Sequence, residues 1–246
     1  MDILYIVNKS QSACDNQELR WSLRSIEKHG KNVGRVFITD QFDFLSGKVT
    51  CVSPSETKDT KCKDILNRLL YAIEQTDISE EFLVSMDDHC FVRDVDFDKF
   101  PYYVRDTDYG NGPGMLPTHE NTPQTGAYIE ILKDTAQFLQ ERGLPTITFC
   151  GHFNMHCSKS LVYEFIEKYP EILDLEVERW ACFLNYLYSK QSFEFVLCKD
   201  RKIVKYTEFE DKLEDAECIS LSDMVTYCKS FAIMQKMFPH KSQYEL

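Results

Sequence analysis

With 246 residues, of which 43% are hydrophobic and 13% aromatic, the chain has enough apolar material for a sizeable core and lies outside disordered compositions. A formal net charge of −12 disfavours non-specific attraction to nucleic acid or anionic lipid. No stretch approaches the roughly 18 to 20 apolar residues of a bilayer span, and ten cysteines without a CxxC pair exclude a zinc ribbon and a dithiol redox motif, leaving reduced thiols packed as small hydrophobes.

The amino-terminal run Met1-Asp2-Ile3-Leu4-Tyr5-Ile6-Val7-Asn8 carries an acid and too short an apolar core for a signal peptide, so residues 2–8 are expected as a buried strand of a cytoplasmic protein. Cys14-Asp15-Asn16 supplies helix-capping types before Glu18 to Lys28, where Leu19, Leu23 and Ile26 share one face and His29-Gly30 closes the segment. Strands are expected at Val33–Thr39 and Lys48–Val52, followed by a polar loop. Lys61 to Gln75 reads as an amphipathic helix carrying Ile65, Leu66, Leu69, Leu70 and Ile73, and Phe82–Met86 as a further strand. Residues 101–126 form a long Gly/Pro-rich loop of the kind usually tied to function or disorder; it carries His119 and Glu120. Helices follow at Tyr128–Glu141 (closed by Gly143 and Pro145), Ser160–Tyr169 and Glu176–Tyr188. Strands at Phe193–Cys198 and Lys202–Tyr206 and a helix at Ser222–Met237 complete the chain. The alternation is that of an α/β domain with a mainly parallel sheet flanked by helices. Such sheets bind ligands beyond the carboxyl ends of their strands, where Asn8 and Asp87-Asp88 fall.

The run Phe82-Leu83-Val84-Ser85-Met86-Asp87-Asp88-His89 ends an apolar strand in adjacent acids. Hard divalent cations take carboxylate oxygen, and Mg²⁺ or Mn²⁺ typically binds one or two acids plus substrate phosphates. The bland alternative is a solvated turn. If the strand persists, His89 alternates away from Asp88.

Three blocks resemble the Stealth group of sugar-phosphate transferases, whose core is a nucleotide-sugar transferase fold of the GT-A type. The first is Asp15-Asn16-Gln17-Glu18-Leu19-Arg20-Trp21-Ser22-Leu23-Arg24-Ser25-Ile26-Glu27-Lys28 with the strand Arg35 to Asp40. The second is Phe82 to Val92, similar to the strand ending in the family's Asp-Asp metal site. The third is Gly151-His152-Phe153-Asn154-Met155-His156-Cys157-Ser158-Lys159-Ser160, with Trp180 to Tyr188 resembling a closing aromatic helix. Where the family's first strand runs into Trp-Val-Asp-Gly, this chain has Tyr5-Ile6-Val7-Asn8-Lys9, which keeps hydrogen bonding and loses a charge.

The resemblance implies a single GT-A-like domain over 1–246, with a nucleotide-sugar half at about 1–100 and an acceptor, lid and helix-rich half at about 101–246. It implies a metal-dependent transferase using Mn²⁺ or Mg²⁺ to move a sugar or sugar phosphate from a nucleotide-diphosphate sugar, a UDP-sugar being favoured, to an acceptor glycan. Asp88 is then the leading metal ligand. Asp87 is a second ligand or sugar-hydroxyl acceptor with a catalytic role. His156, preferred to His152, completes the metal shell or acts as base. Asn8, Arg20, Lys63 and Asn67 become donor contacts: Arg20 for the diphosphate, and Lys63 with Asn67, four apart on one helix face, for nucleotide or sugar. Glu178 and Arg179 open the last aromatic helix within reach of the site. The bland readings are a solvated helix edge for Lys63 and Asn67 and a buried, hydrogen-bonded ring for His156. Two alternatives stand beside this. One is glycosylation of a modified base such as hydroxymethylcytosine in viral DNA, for which Lys58-Lys61-Lys63 and Lys199-Arg201-Lys202-Lys205 would have to supply the strand track. The other is a sugar-nucleotide-binding protein without catalysis.

Overall fold

A computed structural model of the chain describes residues 1–9, 15–105, 123–149, 152–198, 202–203, 209, 213–214, 216–221 and 229–246. His119 and Glu120 of the expected loop lie outside the described residues, as do Lys199, Arg201, Lys205 and residues 222–228. In chain order the elements are β1 (Asp2–Tyr5), α1 (Gln17–His29), β2 (Gly30–Lys31), β3 (Val36–Ile38), β4 (Val49–Cys51), α2 (Lys61–Gln75), β5 (Glu81–Ser85), β6 (His89–Phe91), β7 (Val95–Asp96) and β8 (Tyr102–Val104). They continue with α3 (Pro123–Glu141), β9 (Met155–Ser158), α4 (Lys159–Lys168), α5 (Arg179–Lys190), β10 (Phe195–Leu197), β11 (Lys202–Ile203), β12 (Cys218–Leu221) and α6 (Lys229–Met237).

The result is a mixed α/β fold around a mostly parallel five-stranded sheet of order β4-β3-β1-β5-β9. β1, β3, β4 and β5 run parallel, and β9 pairs antiparallel with β5. Strands covered on both faces read as unbroken apolar runs, and Ile3, Leu4, Phe37, Ile38, Phe82, Leu83 and Val84 are all buried completely. The strand β9 lies where the sequence suggested only a loop before a helix. Four residues with histidine and cysteine inside them carry too little apolar pattern to announce a strand, and their pairing with β5 covers an edge that would otherwise be open.

α1 buries Leu19, Leu23 and Ile26 as its spacing predicts. Its expected cap behaves differently. Asn16 precedes the helix with φ 56° and makes no capping bond, whereas a capping side chain reaches the first-turn amides from an extended backbone. Among the described residues no helix is long and apolar enough to cross a membrane.

The sheet order creates the site. From β1 the chain builds outward through β3 to β4 on one side, then crosses to β5 on the other. The connections therefore leave β1 and β5 in opposite directions, and the gap at their carboxyl ends is a topological switch point, the usual ligand position in open α/β sheets. β1 and β5 are in register, Tyr5 opposite Ser85, so Asn8 and Asp88 each stand three residues beyond the last pair.

Candidate functional site

A cavity of about 300 Å³ occupies this switch point. Its floor is the two strand ends, Ile6-Val7-Asn8 and Met86-Asp87-Asp88-His89. The first turns of α2 contribute Lys61, Asp64, Ile65 and Arg68, one helical stripe, and α1 contributes Glu18. His152, Phe153, Met155, Glu178, Trp180 and Tyr128 come from the carboxyl-terminal half, and Lys202 and Leu221 from the small β11-β12-β6 sheet.

Both aspartates sit in this wall, and their environments drive them apart. Asp88 Oδ2 accepts a 2.6 Å hydrogen bond from Ser220 Oγ and lies 3.7 Å from Lys202 Nζ, while Oδ1 lies 3.6 Å from His89 Nε2. Burial alone would raise the Asp88 carboxyl, but His89, Lys202 and Ser220 together outweigh it and hold Asp88 below the ordinary carboxylate range. Burial pushes the Asp87 carboxyl up to about 7, the negative charges of Asp88 and Glu18 push the same way, and Lys61 and a hydrogen bond from its own backbone amide oppose. Split ionisation of two neighbouring acids is the expected response to like charges in a shared low-dielectric site.

On the far side Glu178 precedes α5. Burial raises its carboxyl, against the pull of Lys61, His152, a hydrogen bond with Tyr128, and Arg105. His152 is held at φ 56°, a left-handed conformation that costs a non-glycine residue roughly 1–2 kcal/mol. It is a cavity-lining residue influencing both Asp88 and Glu178. At the β1 end, Asn8 Nδ2 donates to Asp64 Oδ2 at 3.2 Å, and buried Arg68 donates to the same oxygen at 2.8 Å and to the Thr39 carbonyl at 2.6 Å.

Asn8, Asp87, Asp88 and Glu178 thus come together, and five other expected contacts do not. His156 follows Met155 on β9, and alternate strand residues face opposite sides. Met155 therefore lines the cavity while His156 turns away, donating from Nε2 to the Phe100 carbonyl at 2.7 Å and stacking at 4.2 Å on Tyr102. The bland reading of His156 is the one its surroundings describe, and burial lowers its basicity. Lys63 pairs with Asp59 at 3.9 Å, and Asn67 donates to the Glu56 carbonyl at 3.1 Å. Both stand well round α2 from the stripe that carries Lys61, Asp64 and Arg68, Lys63 about 200° from Lys61 and Asn67 about 100° from Arg68. Arg20 stacks on Phe44 at 3.7 Å and lies 3.6 Å from Glu245. It is two residues, about 200° of helix, from the cavity-lining Glu18. Arg179 is buried with its guanidinium on the Leu175 and Val177 carbonyls. Sequence reasoning passed over Glu18, Asp64, Arg68 and Tyr128. A spacing of three, four and seven from Lys61 was the available signal for Asp64, Ile65 and Arg68.

Does this wall suit a divalent ion? Five carboxylates line the cavity against three permanent cations, Lys61, Arg68 and Lys202. Each of those cations already faces an acid of the same cavity. Among the described residues no three His, Cys, Asp or Glu side chains converge as a complete ion cage. Two acids with an otherwise incomplete shell fit Mg²⁺ or Mn²⁺, which keep positions for water and substrate phosphate, better than they fit Ca²⁺ or Zn²⁺. No protein-family model matches this chain, and no curated protein matches it.

Proposed function

We propose that the chain is a metal-dependent transferase with a GT-A-like fold, moving a sugar or sugar phosphate from a nucleotide-diphosphate sugar, with a UDP-sugar favoured, to an acceptor glycan. The observation that carries this reading is the Asp87-Asp88 pair at the carboxyl end of β5, inside a cavity at the β1/β5 switch point whose acids outnumber its cations. Asp88 and Asp87 are the ligands for Mn²⁺ or Mg²⁺. When bound, such an ion neutralises charge developing on the donor's diphosphate.

The chain's own residues do the rest. Ser220, Lys202 and His89 keep Asp88 ionised and oriented. Lys61, at the first position of α2, lies between the acids and Glu178 and offsets negative charge on both sides. Asn8 and Arg68 fix Asp64 at the β1 end, where the apolar Ile6, Val7 and Ile65 leave room for the nucleoside. Glu178, whose carboxyl burial raises above its ordinary value, accepts the acceptor hydroxyl's proton. The acceptor oxygen then bonds to the anomeric carbon, and the carbon–oxygen bond to the diphosphate breaks with its electron pair leaving on the nucleoside diphosphate. Attack at the distal phosphorus instead breaks the diphosphate and releases the nucleoside monophosphate.

Incubation with UDP-sugars and Mn²⁺, followed by analysis of the released nucleotide, tests the reading. UDP indicates glycosyl transfer and UMP phosphosugar transfer, and either should vanish with EDTA and in Asp88→Ala. Binding without turnover would favour the non-catalytic alternative. For DNA glycosylation the described residues offer less: Lys58 and Lys63 pair with Glu56 and Asp59, and Lys61 and Lys202 face the cavity.

A further inference from the structure

We infer that Ser22 and Ser25 of α1 are positioning residues that hold the Asp87-Asp88 turn in place, an inference that rests on the metal-site reading above. Both serines are completely buried, which is unusual for a hydroxyl in a helix whose neighbours Leu19, Leu23 and Ile26 already fill the core. Each hydroxyl is used twice, Ser22 on a side chain and a carbonyl and Ser25 on two backbone groups. Ser22 Oγ donates to the His89 carbonyl and accepts from Tyr5 Oη at 2.9 Å. Ser25 Oγ donates to the Ser22 carbonyl at 2.7 Å and accepts from the Phe91 amide at 2.9 Å.

The four bonds form one relay from β1 through α1 to β6. They anchor the first and last residues of β6, and the residue that β6 follows is Asp88. On the opposite edge of β6 the strand β12 pairs with it, the Leu221 amide bonds the Asp88 carbonyl at 3.1 Å, and Ser220 bonds the Asp88 side chain. The turn bearing the acids is therefore gripped from two sides, by α1 through hydroxyls and by β12 through a strand ladder. Side chains that orient a ligand without touching the ion typically change metal affinity 10- to 100-fold when removed. The Ser-Leu-Arg-Ser segment thus serves the site without touching a donor: its serines hold the turn, and Arg24 reaches away to Glu245.

The test uses the full-length protein and Mn²⁺ alone as probe. Ser22→Ala and Ser25→Ala are compared with Ser158→Ala, which removes the cap of α4 and leaves the turn untouched. Two quantities are read: Mn²⁺ affinity by calorimetry or paramagnetic resonance, and amide hydrogen exchange across residues 87–91. The inference expects about a tenfold loss of Mn²⁺ affinity and faster exchange in either serine variant, with both quantities unchanged in Ser158→Ala. Should Ser22→Ala not fold, Ser25→Ala decides alone. Unchanged exchange, or faster exchange with parental Mn²⁺ affinity, overturns the positioning role. A parental protein that takes up no Mn²⁺ defeats the metal-site reading instead, and the exchange data still judge whether the serines hold the turn.

Discussion

Ser220 Oγ lies 2.6 Å from Asp88 Oδ2, a contact between residues 132 positions apart that ties the small three-stranded sheet to the end of the main one. A hydroxyl donating to a carboxylate favours its ionised form. Ser220→Ala should therefore weaken Mn²⁺ binding about 10-fold, and Asp88→Asn should lower Mn²⁺-dependent turnover by about 10²- to 10³-fold, the scale of losing a pre-organised charge contact. Calorimetry with Mn²⁺ and a nucleotide-release assay read the two effects.

His152 and His156 should separate cleanly. His152→Gly accepts the left-handed backbone without strain, so its stability should stay within about 1 kcal/mol of the parent while turnover falls by about 10- to 100-fold. His156→Gln should leave Mn²⁺ affinity at the parental value and cost about 1 kcal/mol, from the lost stacking on Tyr102. Urea unfolding and the release assay distinguish them. Equal loss of turnover in both variants would contradict the assignment of faces along β9.

Arg68 is buried beside Asp64, and removing one partner of such a pair strands the other charge. Arg68→Met should destabilise the fold by about 3–5 kcal/mol, seen as a lower urea midpoint at unchanged slope.

Acid should loosen the amino-terminal strand through Asp2. Burial alone would raise this carboxyl, but the Arg35 and Ser79 amides, the Ser79 hydroxyl and the Arg35 guanidinium outweigh it and lower it below the model-peptide value of 3.8. The folded form thus binds its proton later than the unfolded chain does. The stabilisation is complete above the unfolded value and is lost as pH falls through the folded one. Asp2→Asn should be less stable by about 2 kcal/mol near pH 6, with the gap closing as pH falls below the unfolded value of 3.8. Urea titrations across that range check it.

Much of the frame was legible because it rests on local pattern. An apolar run breaking into Asp87-Asp88 marked the end of β5, and Leu19, Leu23 and Ile26 marked the buried face of α1. The helix Lys61–Gln75 has the bounds its periodicity predicted. What escaped depended on long-range pairing or on rotation about an axis. Nothing near His156 reveals that it belongs to an antiparallel strand with Met155 turned inward. Lys63 and Asn67 face another side of α2 than the cavity-lining Lys61, Asp64 and Arg68, a difference invisible until the sheet says which side faces the strand ends. Arg20 and Arg24 are engaged by Glu245, more than 200 residues away.

The most direct test is a crystal grown with MnCl₂ and UDP, examined by anomalous scattering at the manganese edge. The account predicts a single strong peak within bonding distance of Asp88 and Asp87, bridged to the UDP diphosphate and absent in Asp88→Asn. A peak elsewhere with this corner unoccupied, or UDP bound in the cavity with no manganese beside it, would contradict the central claim.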